Sequence, residues 1–440
     1  MKYKLIRFIS LVLLTSLLVV SLSFEAYANT PEVPDTSNAE FVYLYNTNTQ
    51  KVIYSKNSTK KLFPGSAVKI MTGLIACEML GDRLNDTLII TEEMLANVQG
   101  NNVKLRAGMR VTVEDLLYGV LCGGGNDASQ AAATLCSGDI YTFVHAMNAK
   151  AKSLGMKNTF FTNPTGLDDE EMYSTLSDII ILAREAANNP LYLKISSAVS
   201  YVYKPQGYGE EIKFSNRNAL LNVYSEHSNR YASGLIAGST TLGGECVITY
   251  AQRKETGYIC AVMNADRIDD TVYSYKYVND MLDYAFSNFS YVCLAKKGTR
   301  VCVTDTSLSL PSDEPTWCVI KDDVYTLTSK DIDVDNDLVI KHFLHNEQIT
   351  APANAGVIVG GADILYNDEV VGKAMLVLEK DVQASNMLVT FDQLKSFLTG
   401  RFFLISVFIM LIGFIIYLRI DIMSVGKKSK KQNKLSKKFY

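Results

Sequence analysis

Leu62-Phe63-Pro64-Gly65-Ser66-Ala67-Val68-Lys69-Ile70-Met71-Thr72-Gly73 is the stretch that decides how this 440-residue chain is read. A proline stands just ahead of a serine, a lysine follows three residues later, and an apolar-periodic run (Ile70, Leu74, Cys77, Leu80) then begins. This spacing predicts a helix starting at or near Ser66, with Ser66 and Lys69 neighbours on one face. A hydroxyl beside an amine at a helix N-terminus suits nucleophilic chemistry. The amine can take the serine's proton, and the free N–H groups there favour developing negative charge. The same spacing also occurs by chance in many helices, as a cap followed by a surface lysine.

The two ends of the chain set the compartment. Lys2, Lys4 and Arg7 precede an apolar run over residues 8–24 and then Ala26-Tyr27-Ala28. That pattern predicts a signal peptide over residues 1–28, cleaved after Ala28, with an uncleaved anchor as the alternative. Residues 402–418 carry no charge and reach the lower limit of the ~17–25 residues a spanning helix needs. Arg401 and Arg419 bracket this run, and seven lysines follow between Lys427 and Lys438. A lysine-rich flank marks the cytoplasmic side. The expected product is a single-pass protein of the cell membrane, with its folded part outside and residues 419–440 as a cytoplasmic tail.

The net charge of the whole chain is −3. The basic ends contribute +2 and +7, which leaves −12 for the part between them. An acidic exterior favours solubility and argues against nucleic acid as a partner. Eight cysteines lie mostly in apolar runs without a C-x-x-C, so buried free thiols are expected for most. Cys246 and Cys260 fall on two strands of one expected hairpin and form the pair to test. His342 and His345 do not make a metal-ligand pattern, and no metal or cofactor is expected.

In order, residues 41–45 and 52–54 read as a hairpin around Asn46-Thr47-Asn48-Thr49. Helices are expected over residues 111–121, from Asn126-Asp127 toward Leu135, after Asp139 as far as Gly155, and over residues 174–188. A hairpin over residues 246–251 and 258–263 and a helix over residues 274–286 follow. Beyond residue 291 the pattern is strand and turn alone, including a hairpin around Asn367-Asp368. The expected organisation is a mixed α/β (α+β) domain over residues 29–290, an all-β domain over 291–383, an amphipathic connector over 384–401, and the membrane helix over 402–418.

With its motifs in this order, the chain resembles the low-molecular-mass penicillin-binding proteins, the serine D-alanyl-D-alanine carboxypeptidases. The resemblance rests on Pro64-x-Ser66-x-x-Lys69-Ile70-Met71-Thr72, Val113-Glu114-Asp115-Leu116-Leu117-Tyr118-Gly119 and Asn126-Asp127-Ala128. It rests also on Leu154-Gly155-Met156-Lys157-Asn158-Thr159, Asn163-Pro164-Thr165-Gly166-Leu167 and Tyr173-Ser174-Thr175. It implies a β-lactamase-like transpeptidase fold followed by a small β domain and a membrane anchor. It implies peptidoglycan stem peptides and β-lactams as ligands, and catalysis by a serine acylated with a lysine as its base. Ser66, Lys69 and Asn126 carry over as catalytic residues and Gly238 as a substrate-binding one.

The family builds its cleft from S-x-x-K, S-x-N and K-T-G, and here only the first is intact. Gly124-Gly125-Asn126 stands at the second, without its serine. Ile236-Ala237-Gly238 stands at the third, without lysine or threonine. Ser239 and Thr240 could supply a hydroxyl only through a strand slip, which would reverse every side chain. Arg230 is a poor substitute for the lost cation. Loss of one preorganised donor costs on the order of 3–4 kcal/mol, or 10²–10³ in rate. Loss of a charged partner for a desolvated carboxylate costs roughly 2–5 kcal/mol more, although such effects do not add. Two readings therefore stand: a D,D-carboxypeptidase that trims stem peptides, and a catalytically impaired pseudoenzyme serving as a cell-wall scaffold or binding module. A secreted β-lactamase is disfavoured by the β domain, the membrane helix and the absence of an evident deacylating glutamate.

Overall fold

The computed structural model describes residues 32–436 apart from Gly207, Lys330, Asp331, Ile332 and Asp335, so the expected signal peptide lies outside the described residues. The chain forms two compact units. One runs through Tyr291 and includes Leu327–Lys330; the other comprises Val292–Thr326 and the chain from Asp331 onward.

The first unit is built on an antiparallel sheet whose two faces are both covered. Strands β1 (Ala39–Asn46) and β2 (Lys51–Lys56) form the opening hairpin. Seven helices follow or flank the remaining strands. They are α1 (Val68–Leu80), α2 (Val113–Leu121), α3 (Asn126–Ser137), α4 (Ile140–Leu154), α5 (Leu176–Asn188), α6 (Pro190–Ser196) and, after the last strand, α7 (Tyr273–Asn288). Strands β3 (Ala232–Thr240), β4 (Gly244–Arg253) and β5 (Thr256–Ala265) complete a sheet of order β2-β1-β5-β4-β3. Alternation along β1 sends Phe41, Tyr43 and Tyr45 into the core formed with α1 and its neighbours. It sends Val42 and Leu44 into a second core under α7, with Tyr277, Val278, Met281 and Leu282.

Local chemistry fixes several helix ends, and it moves one start from the expected residue 111 to Val113. Thr112 and Asp115 make a reciprocal capping box on α2, so residues 110–112 are a short strand and the helix starts at Val113. Asp139 caps α4, and Gly155 closes it in the left-handed region at φ 83°. Helix α6 is an addition to the expected elements; Asn189 caps it and Pro190 opens it.

The second unit contains β6 (Arg300–Ser307), β7 (Thr316–Ile320), β8 (Leu338–Leu344), β9 (Gln348–Thr350), β10 (Ile358–Tyr366) and β11 (Glu369–Leu378). They form a six-stranded sheet of order β8-β10-β11-β7-β6-β9. Asn367 and Asp368 turn the β10–β11 hairpin with positive φ at both positions, as a tight primed turn requires. Helix α8 (Asn386–Thr399) is capped by Ser385 and leaves Met387, Phe391, Leu394 and Leu398 exposed along its length. It leads into α9 (Arg401–Ser436), whose segment Arg401–Ile420 is long and apolar enough to cross a membrane.

Cys246 and Cys260, the pair to test, do not meet. Cys246 stands opposite Gly238 and packs among the helices, whereas Cys260 stands opposite Thr249 and packs under α7. The two thiols lie on opposite faces of the sheet and cannot meet. Cys302 and Cys318, by contrast, are direct cross-strand partners on β6 and β7, and both side chains belong to the same buried core. Facing residues have Cβ atoms ~4.5–5.5 Å apart, close to what a disulfide needs. Treatment of the full-length chain with a small external disulfide should therefore join Cys302 to Cys318, with two electrons passing to the reagent. Peptide mapping that found a Cys246–Cys260 link instead would contradict this geometry.

Candidate active site

Ser66 lies in a single 3-10 turn, Gly65–Ala67, and the α-helix proper begins at Val68. The expected helix start at Ser66 is thus moved, because Gly65 takes a φ of 49° that no regular helix uses. Ser66 is half-buried, and its hydroxyl makes no hydrogen bond among the described residues. Helix α1 behind it is buried on every side from Val68 to Cys77. Lys69 is carried into that interior.

The Lys69 amine donates to Thr165 O at 2.5 Å. It is 5 % exposed. Burial, helped by the nearby Arg217 guanidinium, pushes its pKa down from 10.5 to about 8. The acceptor is held in place by Asn163, whose Oδ1 accepts from Thr165 N, Thr165 Oγ1 and Gly166 N at 3.1, 2.9 and 2.8 Å. Thr72, one turn along α1, donates to Pro164 O at 2.7 Å. The Asn163-Pro164-Thr165-Gly166-Leu167 stretch is therefore a rigid clasp that gives the buried amine its acceptor.

The second wall is the loop into α3. Asn101 Nδ2 donates to Gly123 O and Gly124 O, both at 2.8 Å, and Asn126 N donates to Asn101 O at 2.7 Å. Asn126 Nδ2 donates to Gln99 O at 2.7 Å, while its Oδ1 is buried with no partner. A buried acceptor left unpaired costs ~1–3 kcal/mol, which an incoming N–H can recover. Gly124 has φ 62°. A Cβ there would lie 3.0 Å from Arg217 Cγ, so a side chain at this position would press on the arginine stem.

Strand β3 is the third wall, and its pairing with β4 shows no slip at Gly238, Ser239 and Thr240. Ile236 packs into the helical core and Ala237 into the core under α7. Thr240 Oγ1 accepts from Gly243 N at 2.9 Å and is committed to the turn. Any side chain at Gly238 would run into Ser66, with an added Cβ 3.1 Å from Ser66 Cβ and closer still to its hydroxyl. Glycine here lets the strand approach the serine. Arg230 bonds the Tyr231 hydroxyl at 2.6 Å and stacks on that ring.

Ser66, Lys69, Asn126 and Gly238, separated along the chain, line one cleft of about 200 Å³. Arg217 lines it too, and its guanidinium makes no hydrogen bond or ion pair among the described residues. Its backbone is pinned: Arg217 N donates to Cys122 O at 3.2 Å and Tyr275 OH donates to Arg217 O at 2.9 Å. Asn216 Nδ2 bonds Ser196 O and Ala198 O at 2.8 Å each, and Asn218 Nδ2 bonds Gly234 O at 2.6 Å. Sequence reasoning missed Arg217. Its one local sign is a cation set between two asparagines ahead of β3.

A model of the D-alanyl-D-alanine carboxypeptidase family matches residues 27–267. D-alanyl-D-alanine carboxypeptidase DacF of Bacillus subtilis strain 168 is 30 % identical over 359 residues, which cover 80 % of this chain and 87 % of that protein. DacA of Escherichia coli K12, which bears the same enzyme name, is 26 % identical over 81 % of this chain and 86 % of its own length. The solved penicillin-binding protein 5 of Haemophilus influenzae shares the fold with a TM-score of 0.63, at 23 % identity, covering 80 % of this chain and all of that one. This chain belongs to the D-alanyl-D-alanine carboxypeptidase family of low-molecular-mass penicillin-binding proteins.

A lysine base works only when neutral, so labelling by a fluorescent penicillin should speed up as pH rises through about 8. Arg217→Gln removes a repelling cation and should raise the pKa of Lys69, moving the midpoint of this profile to higher pH. A midpoint unchanged by that substitution would show that Arg217 does not act on the amine.

Proposed function

We propose that this chain is a membrane-tethered, extracytoplasmic D,D-carboxypeptidase-type enzyme of slow turnover. Its Ser66 is acylated by peptidoglycan stem peptides ending in D-Ala-D-Ala and by β-lactams. The observation that carries this reading is the convergence of Ser66, Lys69, Asn126, Gly238 and Arg217 on one cleft.

In the forward step Ser66 Oγ attacks the carbonyl carbon of the penultimate D-Ala while Lys69 Nζ takes the hydroxyl proton. The C–N bond then breaks, and the leaving D-Ala amine needs a proton. Gly124 has no hydroxyl to relay one, so Lys69 must return it directly. Asn126 Oδ1 offers an acceptor to a substrate amide N–H, and Arg217 offers the terminal carboxylate a charge that Ile236 does not. Water finally hydrolyses the ester on Ser66. Acylation by a β-lactam is less demanding: its amide is strained and its amine stays attached to the acyl group. The apolar segment of α9 and the exposed apolar side chains of α8 support tethering at a bilayer.

The loss of the hydroxyl at Gly124 and of the charge at Ile236 favours a second reading, a silent binding module. Incubation of the full-length chain and of Ser66→Ala with a fluorescent penicillin and with a D-Ala-D-Ala peptide separates the two. We expect Ser66-dependent labelling, with D-Ala release on the order of 10²–10³ slower than for a relative with intact motifs. No labelling would establish the silent module, and release at ordinary rates would refute the importance of Gly124 and Ile236.

A further inference from the structure

The second unit holds a cavity of about 300 Å³, larger than the cleft at Ser66. It lies between the loop over residues 309–316 and the segment over residues 379–383. Backbone bonding fixes both sides, since Leu310 N donates to Gln383 O at 3.0 Å and Ser309 bridges Ala384. Lys380 Nζ donates to Glu314 Oε2 at 2.7 Å and ties one rim to the other.

Trp317, the chain's one tryptophan, forms part of the wall. Its neighbour Cys318 is fully buried, so alternation turns the ring outward from the sheet. The Arg300 guanidinium stacks 5.3 Å from the ring and is itself held by two bonds to Glu379 at 2.9 and 3.0 Å. Arg300 is not part of the cavity wall, so it anchors the ring without filling the space beside it. An aromatic side chain fixed in this way loses little freedom when a ligand binds.

The polar groups of the wall are of both kinds and partly unused. The Gln383 amide and the Thr316 hydroxyl make no hydrogen bond among the described residues. Asp381 spends Oδ1 on Ala355 N at 2.7 Å and keeps Oδ2. Glu314, Glu379 and Asp381 outnumber Lys380, so the wall repels phosphate and carboxylate ligands. A fixed ring beside an amide, a hydroxyl and a carboxylate, with no surplus positive charge, matches a pyranose. The apolar C–H face of the sugar lies on the ring while its hydroxyl and acetamido groups bond at the rim. Leu310, Pro311 and Pro315 make a proline-rich peptide the competing occupant. A single ring in a mainly polar wall lacks the aromatic-lined groove such peptides use.

We propose that the Trp317 cavity binds a neutral, N-acetylated pyranose oligosaccharide, giving the chain a saccharide site separate from Ser66. The proposed function supplies only the natural source of that saccharide, the glycan strand that carries stem peptides. Because Trp317 is the sole tryptophan, its emission in the full-length chain reports on this cavity alone. In a zwitterionic, sugar-free detergent, titration with a chitin tetrasaccharide should give a saturable shift, half-complete on the order of 1 mM. Ser66→Ala should respond identically, so loss of penicillin labelling leaves this result intact. Gln383→Ala should weaken the response roughly tenfold, an effect of about 1.4 kcal/mol, while keeping the emission of the free chain. Trp317→Phe should abolish saturation-transfer NMR contacts to the sugar, with circular dichroism unchanged. The absence of a saturable shift with the saccharide, or a shift given by a proline-rich peptide and not by the saccharide, would overturn the proposal.

Discussion

A buried amine sets the conditions for everything else in the cleft. Taking an ammonium out of water is expensive, and the chain responds by lowering the pKa of Lys69 and giving the amine one fixed acceptor, Thr165 O. That contact joins residues 96 positions apart. It requires Asn163 to hold its own turn, Thr72 to bind Pro164, and α1 to be enclosed on all sides. The same enclosure places Ser66 at the mouth of the cleft, because the turn that carries it is the entrance to that helix.

Around this fixed pair the other two walls depart from the family pattern. Gly124 lacks the serine's hydroxyl, and the stem of Arg217 lies close beside it. Ile236 lacks the lysine's charge, and Arg217 is the cation that lines the cleft beside Lys69. A serine at position 124 alone would strain a backbone at φ 62° and push the Arg217 stem aside by a few tenths of an ångström. Arg217 borders both places, with its stem beside Gly124 and its charge in the cleft that Ile236 also lines. It also pushes the Lys69 amine toward its neutral form, which a base requires.

How much of this could be read in advance followed from how local each cause is. The Asp139 cap with its Gly155 stop and the Asn367-Asp368 turn act within a few residues, and the sequence shows them directly, whereas the expected helix start at residue 111 fell two residues ahead of the one that the Thr112–Asp115 capping box sets. Helix α1 is apolar all round, so its periodicity is faint, and a 3-10 turn displaced its start. Helix α6 has 7 residues, too few to show a period. Hairpin membership does not say which face a cysteine takes, which is why Cys246 and Cys260 misled while Cys302 and Cys318 were overlooked. Arg217 lies beyond local reasoning. Its position depends on Asn216 and Asn218 reaching Ser196, Ala198 and Gly234, contacts that exist only after the sheet and α6 have come together.

The central claim is that the fold lowers the pKa of Lys69 to about 8 by burying it beside Arg217, so that the neutral amine comes within reach at mildly alkaline pH. Direct titration of that amine tests it: NMR of the full-length chain carrying lysine labelled at Cε, with Lys69→Met assigning the signal. A midpoint near 8 is the expected result. A midpoint at the ordinary lysine value of ~10.4 would show a solvated ammonium at this position and would contradict the account.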